Sequence, residues 1–136
     1  MKIMLDLNVL LDVLQRREPH YADSAAVLSL ALERKITACL PGHAITTLHY
    51  VIGKAVSKAK ADAAVDWLLT RFEVIAASKP VFLRARSLAM ADFEDAVVAG
   101  MALESGCEYV VTRNLADFEQ SPVAALLPAD LLALLE

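Results

Sequence analysis

Three short acidic segments, far apart in the chain, hold the residues best suited to chemistry. Asp6 lies in MLDLNVLLD, Asp95 in DFEDAVVAG and Asp117 in VVTRNLADF. Closely packed carboxylates repel one another unless a cation lies between them, and Mg²⁺ prefers oxygen ligands. If the fold brings the three segments together, the pattern predicts a magnesium or manganese site that hydrolyses phosphodiesters. Asp6, Asp95 and Asp117 would be both its metal ligands and its catalytic residues.

Polar neighbours of these acids are candidates for supporting the site or contacting the substrate. Asn8 could hold the first carboxylate by a hydrogen bond, as residues around a metal site often do. Thr112 and Asn114 could bind a water or a phosphate oxygen, and Arg113 could neutralise one. Asp92 adds a further carboxylate to the second acidic segment.

Each acid also has a purely structural explanation. Asp6 could cap the helix that follows it, because Asp is a favoured N-cap residue. Asp92 could cap the later helix, with Asp95 as the favoured acid at its third position. Asp117 could be an ordinary loop acid. Capping is a weaker explanation for Asp95 than for Asp92, since Asp95 opens the apolar run AVVAGMAL and is expected to point towards the buried side.

Other polar residues give weaker signals. Asp12 is expected to be a solvated surface acid that faces Arg16, four residues further along the same helix. His43 and His49 are six positions apart on one predicted helix, which puts them on different faces and argues against a zinc site. The sequence contains no phosphate-binding P-loop and no dinucleotide-binding glycine motif.

The elements that must position these acids alternate between strands and helices. The run Lys2-Ile3-Met4-Leu5 is apolar enough to be a central parallel strand, and Asp6 follows it at the carboxyl edge, where α/β proteins bind ligands. Further strands are predicted at 36–40, 72–76 and 109–112, with a short extended segment at Val123. Helices are predicted from residue 7 to about residue 17, from an entry at 19–21 to residue 35, and at 43–54, 57–70, 80–90, 93–104 and 128–135. This alternation predicts an α/β fold with a parallel sheet of about four or five strands flanked by helices.

Composition restricts the possible functions. The chain has 136 residues, 57% of them hydrophobic, which suits one domain spanning residues 1–136. Its net charge of −4 and pI near 5.3 argue against a protein that holds nucleic acid by bulk electrostatics. A local patch of Arg and Lys, or a basic partner that masks the acidic charge, would still be compatible with nucleic-acid binding.

The cysteines and the apolar runs bear on location. Cys39 and Cys107 have neither metal-ligand nor redox-motif spacing and lie in apolar stretches, so we expect buried free thiols. The amino terminus lacks the apolar core of a signal peptide, and no apolar run approaches the length of a membrane span. We therefore expect a cytoplasmic protein that does not bind membranes.

The same motifs resemble those of a known family. MLDLNVLLDVL and FEDAVVAGMALESGCEYVVTRNLADF resemble the opening and closing signatures of PIN-domain proteins, and HAITTLHYVIGK resembles the middle of one bacterial branch. The resemblance covers essentially the whole chain in order. It implies a three-layer α/β/α sandwich. It also implies a magnesium- or manganese-dependent ribonuclease, since many members have that activity, including the VapC toxins of toxin–antitoxin pairs.

The resemblance assigns roles to individual positions. Asp6 matches the first acid of the family and Asp95 the acid of the late helix. Asn114 and Asp117 fall in the corner that holds the last acid or its polar substitute. The partners implied are an RNA substrate and an antitoxin protein. Homodimerisation is also expected, because the exposed helices are rich in apolar residues and two-fold pairs are the commonest assembly.

One departure from the family lies in the middle helix. Many active members present a Glu there, whereas this chain has Thr46, Thr47 and His49. The alternative is therefore a catalytically weak or inactive PIN-fold protein that binds RNA or another protein. A phosphoryl-transfer or receiver-type domain ranks lower, because no Lys lies at a strand end as that chemistry requires.

Overall fold

The computed structural model describes residues 1–136, in which strands and helices alternate. The strands are β1 (Lys2–Leu5), β2 (Thr37–Pro41), β3 (Glu73–Ile75), β4 (Tyr109–Val111) and β5 (Ala125–Leu126). The helices are α1 (Leu7–Leu14), α2 (Tyr21–Leu32), α3 (Gly42–Ala55), α4 (Lys58–Arg71), α5 (Lys79–Ser87), α6 (Phe93–Glu104) and α7 (Pro128–Leu134). A short 3₁₀ helix spans Leu115–Phe118.

All five strands run parallel in one sheet, in the order β3-β2-β1-β4-β5. The sequence prediction of a parallel sheet with four or five strands is therefore confirmed. The last strand is formed by Ala125–Leu126 and not at Val123, which lies just before it. The chain order reverses at β1, which has β2 on one side and β4 on the other. Ligands of α/β proteins bind at such a switch point, outside the carboxyl ends of the strands.

Helices cover both faces of the sheet and complete the predicted three layers. On one face, α1 to α4 and α7 pack their apolar residues against Ile3, Leu5 and Leu40. On the other face, α5 and α6 pack against Met4 and Val110. Because β1 is buried on both faces, the first polar side chain after it lies at the sheet edge between the two helical layers.

Cys39 and Cys107 are buried free thiols on the α5–α6 side, as the sequence predicts. None of the seven helices combines the length and the apolar character that crossing a membrane would require.

Candidate active site

Asp6 lies at the carboxyl end of β1 and is both a helix cap and a member of a polar cluster. One of its carboxylate oxygens accepts a 2.8 Å hydrogen bond from the backbone N–H of Leu7, the first residue of α1. The other oxygen accepts hydrogen bonds from the Thr112 hydroxyl at 2.8 Å and from the Asn8 amide at 3.4 Å. Capping therefore does not exclude a functional role, since Asp6 uses different oxygens for the two tasks.

The environment of Asp6 raises the pKa of its carboxyl group. Burial is the main cause, and the hydrogen bonds from Thr112 and Leu7 act in the opposite direction. The negative charge of Glu94 raises the pKa further, whereas His43 lowers it. Asp6 is thus a largely buried carboxylate whose charged form depends on donors from β4's end and from its own helix.

Asp95 is the residue on which the acidic segments converge. It lies in the first turn of α6, where its backbone N–H donates a 2.9 Å hydrogen bond to the capping carboxylate of Asp92. Its pKa is raised to about 7, first by burial and then by repulsion from Asp92, Asp6, Asp117 and Glu94. Carboxylates from three segments that are distant in the sequence therefore lie within electrostatic reach of one side chain.

Asp117 belongs to the 3₁₀ helix that follows β4. Its backbone N–H donates to the carbonyl of Asn114 at 3.1 Å, and its exposed side chain adds to the repulsion at Asp95. The charges of Asp6 and Asp117 thus both act on Asp95, as expected for three acids that lie near one sheet edge.

The loop after β4 is tied to the start of α1. Thr112 is buried, and its hydroxyl accepts a 3.1 Å hydrogen bond from the backbone N–H of Asn114 while donating to Asp6. The backbone N–H of Arg113 donates to the side-chain oxygen of Asn8 at 3.4 Å. Four of the five predicted supporting residues, Asn8, Thr112, Arg113 and Asn114, therefore form one connected network, and Asp92 supports the site from α6.

The prediction that Asp12 is a surface acid paired with Arg16 is wrong. Asp12 is fully buried, receives a 2.7 Å contact from Arg113 Nε and accepts a 3.2 Å hydrogen bond from Ser24. Because α1 ends at Leu14 and Arg16 adopts a left-handed φ of 47°, the helical i,i+4 geometry does not exist for this pair. The Arg16 guanidinium instead lies over the ring of Tyr21, 4.7 Å from its centroid. Arg113 is thus an anchor for the loop after β4.

Two site residues, His43 and Glu94, received no role from the sequence. His43 Nε2 of α3 lies 3.5 Å from the Glu94 carboxylate of α6, and both side chains influence the charge of Asp6. The available signal was the position of His43, two residues after the end of β2, the strand beside β1. In the sequence, His43 was considered only as a possible zinc ligand together with His49. The imidazole of His49 instead contacts Asp62 of α4 at 2.7 Å.

The middle helix α3 supplies hydroxyl groups where the family resemblance leads one to expect a Glu. The hydroxyls of Thr46 and Thr47 both donate to the backbone carbonyl of His43, at 2.9 and 3.2 Å. Both threonines therefore stabilise the first turn of α3, the turn that carries His43.

The donor chemistry of the cluster suits a hard divalent cation. Asp6, Asp95 and Asp117 offer carboxylate oxygens, which Mg²⁺ and Mn²⁺ prefer to nitrogen or sulfur. The carboxylates converge without forming a closed shell, since no three His, Cys, Asp or Glu side chains are grouped tightly enough to enclose an ion. Burial and then repulsion from the neighbouring carboxylates raise the pKa of Asp95, and a bound cation would relieve that repulsion.

Comparisons with known proteins agree with the motifs and the fold. The PIN domain family model matches residues 2–116. Ribonuclease VapC1 of Aquifex aeolicus (strain VF5) is 25% identical over 118 residues, which are 83% of this chain and 81% of that protein.

Two solved structures share the fold at low sequence identity. VapBC2 from Rickettsia felis bound to a DNA fragment from its promoter gives a TM-score of 0.75 at 20% identity, covering 93% of this chain and 98% of the other. A toxin–antitoxin complex from Klebsiella pneumoniae gives a TM-score of 0.69 at 17% identity, covering 93% and 97%.

Proposed function

This chain belongs to the PIN-domain family, and we propose that it is a metal-dependent ribonuclease whose acidic cleft hydrolyses RNA phosphodiesters. The observation that carries the proposal is the position of Asp95, a partly buried carboxyl group on which the negative charges of Asp92, Asp6 and Asp117 act, so that burial first and this repulsion second raise its pKa. Clustered carboxylates that repel one another at a sheet edge are costly unless they serve a cation. The similarity to a ribonuclease of Aquifex aeolicus supports RNA as the substrate.

Mg²⁺ or Mn²⁺ would be held by Asp6, Asp95 and Asp117. When bound, the ion supplies a polarised phosphoryl oxygen and an attacking water of lowered pKa. The chain's own groups position these ligands: Thr112, Asn8 and the Leu7 N–H orient the Asp6 carboxylate. Capping by Asp92 holds the first turn of α6, and with it Asp95.

We further propose that the protein is the toxin of a toxin–antitoxin pair, with an antitoxin protein as its partner and a homodimer as its assembly. Its fold is shared by the toxin–antitoxin complex from Klebsiella pneumoniae. Exposed large apolar side chains such as Val56 and Leu69 provide surface for such protein contacts. Sedimentation of the purified chain tests the homodimer, and co-purification with the product of an adjacent gene tests the antitoxin.

A catalytically silent, RNA- or protein-binding PIN domain is the second candidate. The observation in its favour is α3, where Thr46 and Thr47 bind the backbone in place of a carboxylate ligand. Titration calorimetry with Mn²⁺ separates the two candidates, because the silent protein would release no heat of metal binding.

The deciding experiment replaces single carboxylates by amides of the same shape. Asp6→Asn and Asp95→Asn should each abolish Mn²⁺-dependent cleavage of single-stranded and structured RNA while preserving the circular dichroism spectrum. Asp66→Asn, at an exposed position of α4, is the matched control and should cleave like the unmodified protein. Full cleavage by both site variants would overturn the proposal.

A further inference from the structure

A groove beside the acidic cluster contains two stacked aromatic rings that remain open to solvent. Phe82 of α5 and Phe93 of α6 have ring centroids 6.3 Å apart and planes inclined by 24°. The exposed fractions of Phe82 and Phe93 are 43% and 47%, although large apolar side chains of this kind usually pack in a core. The groove, which we call the aromatic groove, has a volume of about 310 Å³ and is lined by His43, Thr47, Ala77, Phe82, Phe93, Glu94 and Val97.

The aromatic groove is continuous with the candidate active site. Its rim contains His43 and Glu94, which lie 3.5 Å apart and both act on the charge of Asp6. Phe93 is the first residue of α6, and Asp95 follows it by two positions. A group that occupies the groove is therefore adjacent to the carboxylates.

We propose that the aromatic groove binds one nucleobase of a single-stranded RNA, next to the phosphate that is cleaved. The base stacks on the Phe82–Phe93 pair, and its polar edge meets the imidazole of His43 and the hydroxyl of Thr47. This inference rests on the proposed ribonuclease function and adds a substrate subsite to it.

Charge favours a base as the occupant. The chain carries a net charge of −4, and the neighbouring cluster is acidic, so attraction of the RNA backbone contributes little to affinity. A nucleobase is uncharged and flat, and stacking on aromatic side chains supplies binding energy without basic residues.

Size favours the same occupant. Seven residues line the aromatic groove, whereas a stable protein–protein interface uses about 20–30 residues on each side. The groove therefore fits a single planar group better than a protein surface.

The test measures RNA binding in the cleavage-deficient Asp95→Asn background, in Mg²⁺, so that the probe stays intact. The probes are a fluorescent single-stranded RNA oligonucleotide and a set of copies with one abasic nucleotide placed at successive positions. The protein variants are Phe93→Leu, which removes the ring, Phe93→Trp, which keeps one, and the control Tyr50→Leu, at an exposed aromatic of α3 outside the groove.

The proposal predicts that Phe93→Leu weakens binding by about tenfold, whereas Phe93→Trp and Tyr50→Leu leave it unchanged. One abasic position should weaken binding to the parent protein but not to Phe93→Leu, because the lost base and the lost ring report the same contact. Equal effects of Phe93→Leu and Tyr50→Leu, or abasic losses identical in both proteins, would overturn it.

A change in sedimentation of Phe93→Leu with unaltered RNA binding would also overturn it and would identify the groove as a protein contact. Cleavage is assayed separately with the unmodified chain, which distinguishes the two hypotheses. If the unmodified chain cleaves RNA but the abasic nucleotide and Phe93→Leu act independently on binding, only the subsite is rejected. If the two effects are coupled but RNA is not cleaved, only the nuclease function is rejected.

Discussion

The hydroxyl of Thr112 donates a 2.8 Å hydrogen bond to the carboxylate of Asp6, although the two residues lie 106 positions apart in the chain. The contact is possible because β1 and β4 are neighbours in register, with Leu5 beside Val111. It stabilises the charged form of a carboxylate whose pKa is raised by burial. Through Thr112, the loop after β4 thus opposes the effect of burial on the pKa of Asp6.

Thr112→Val should therefore impair both stability and function. The substitution keeps the side-chain shape but removes a hydrogen bond to a charged group, which costs about 1.5–3 kcal/mol of unfolding free energy. The pKa of Asp6 should rise further, so the acid limb of the pH–rate profile should move to higher pH. The profile of kcat/KM is the measurement, and Thr70→Val, which removes an exposed hydroxyl of α4, is the control. An acid limb at the same pH in both variants would contradict the role of Thr112.

The pKa of Asp95 predicts how stability depends on pH without metal. Between the ordinary value of 3.8 and about 7, the folded protein keeps a proton on Asp95 that the unfolded chain releases. The free energy of unfolding should therefore decrease as the pH rises through this window. In Asp95→Asn the decrease should be smaller, and Asp66→Asn should behave like the parent. Urea titrations in EDTA at pH 5 and pH 8 measure the free energy of unfolding. The same change in this free energy between the two pH values in all three proteins would contradict the raised pKa of Asp95.

Divalent metal should stabilise the folded protein. An ion that binds only the native state adds about 2.7 kcal/mol at a concentration one hundred times its dissociation constant. Mn²⁺ should therefore raise the Tm of the unmodified chain but not that of Asp6→Asn or Asp95→Asn. Differential scanning calorimetry with Mn²⁺, and with Ca²⁺ for comparison, provides the measurement. An equal rise in Tm for all three proteins would place the ion elsewhere.

The buried contact between Asp12 and Arg113 should contribute more to stability than the surface pair of Asp12 and Arg16 that the sequence predicted. Asp12→Ala leaves the anchored guanidinium without its partner and should cost about 3 kcal/mol or more. Arg16→Ala removes only a contact with the Tyr21 ring and should cost under about 1 kcal/mol. Chemical denaturation of the two variants compares the observed and the expected partners of Asp12. A larger loss for Arg16→Ala would favour the partner that the sequence suggested.

Local patterns in the sequence predicted the order of strands and helices and the parallel sheet, and they singled out Asp6, Asp95 and Asp117 as candidate site residues. Asp6 and Asp92 were recognisable as caps because a cap acts within a few residues of itself. The ends of β1 and β4 were recognisable because a run that is apolar on both faces must stop where polar groups begin. The short β5 was misplaced by two residues, since two paired residues carry almost no pattern of their own.

The contacts that complete the candidate site depended on tertiary structure. Asp12 meets Arg113 because β1 and β4 are neighbours, which brings the segments after these two strands together. His43 meets Glu94 because the first turn of α6 packs beside the start of α3. Each contact joins segments that are 51 or 101 positions apart, so no periodicity or spacing encodes it. The sequence by itself determined which carboxylates follow the strands or open the late helix, because strand ends and helix caps are local features. The packing of helices and loops decided which neighbouring side chains act on the charge of these carboxylates and which anchor the loops around them.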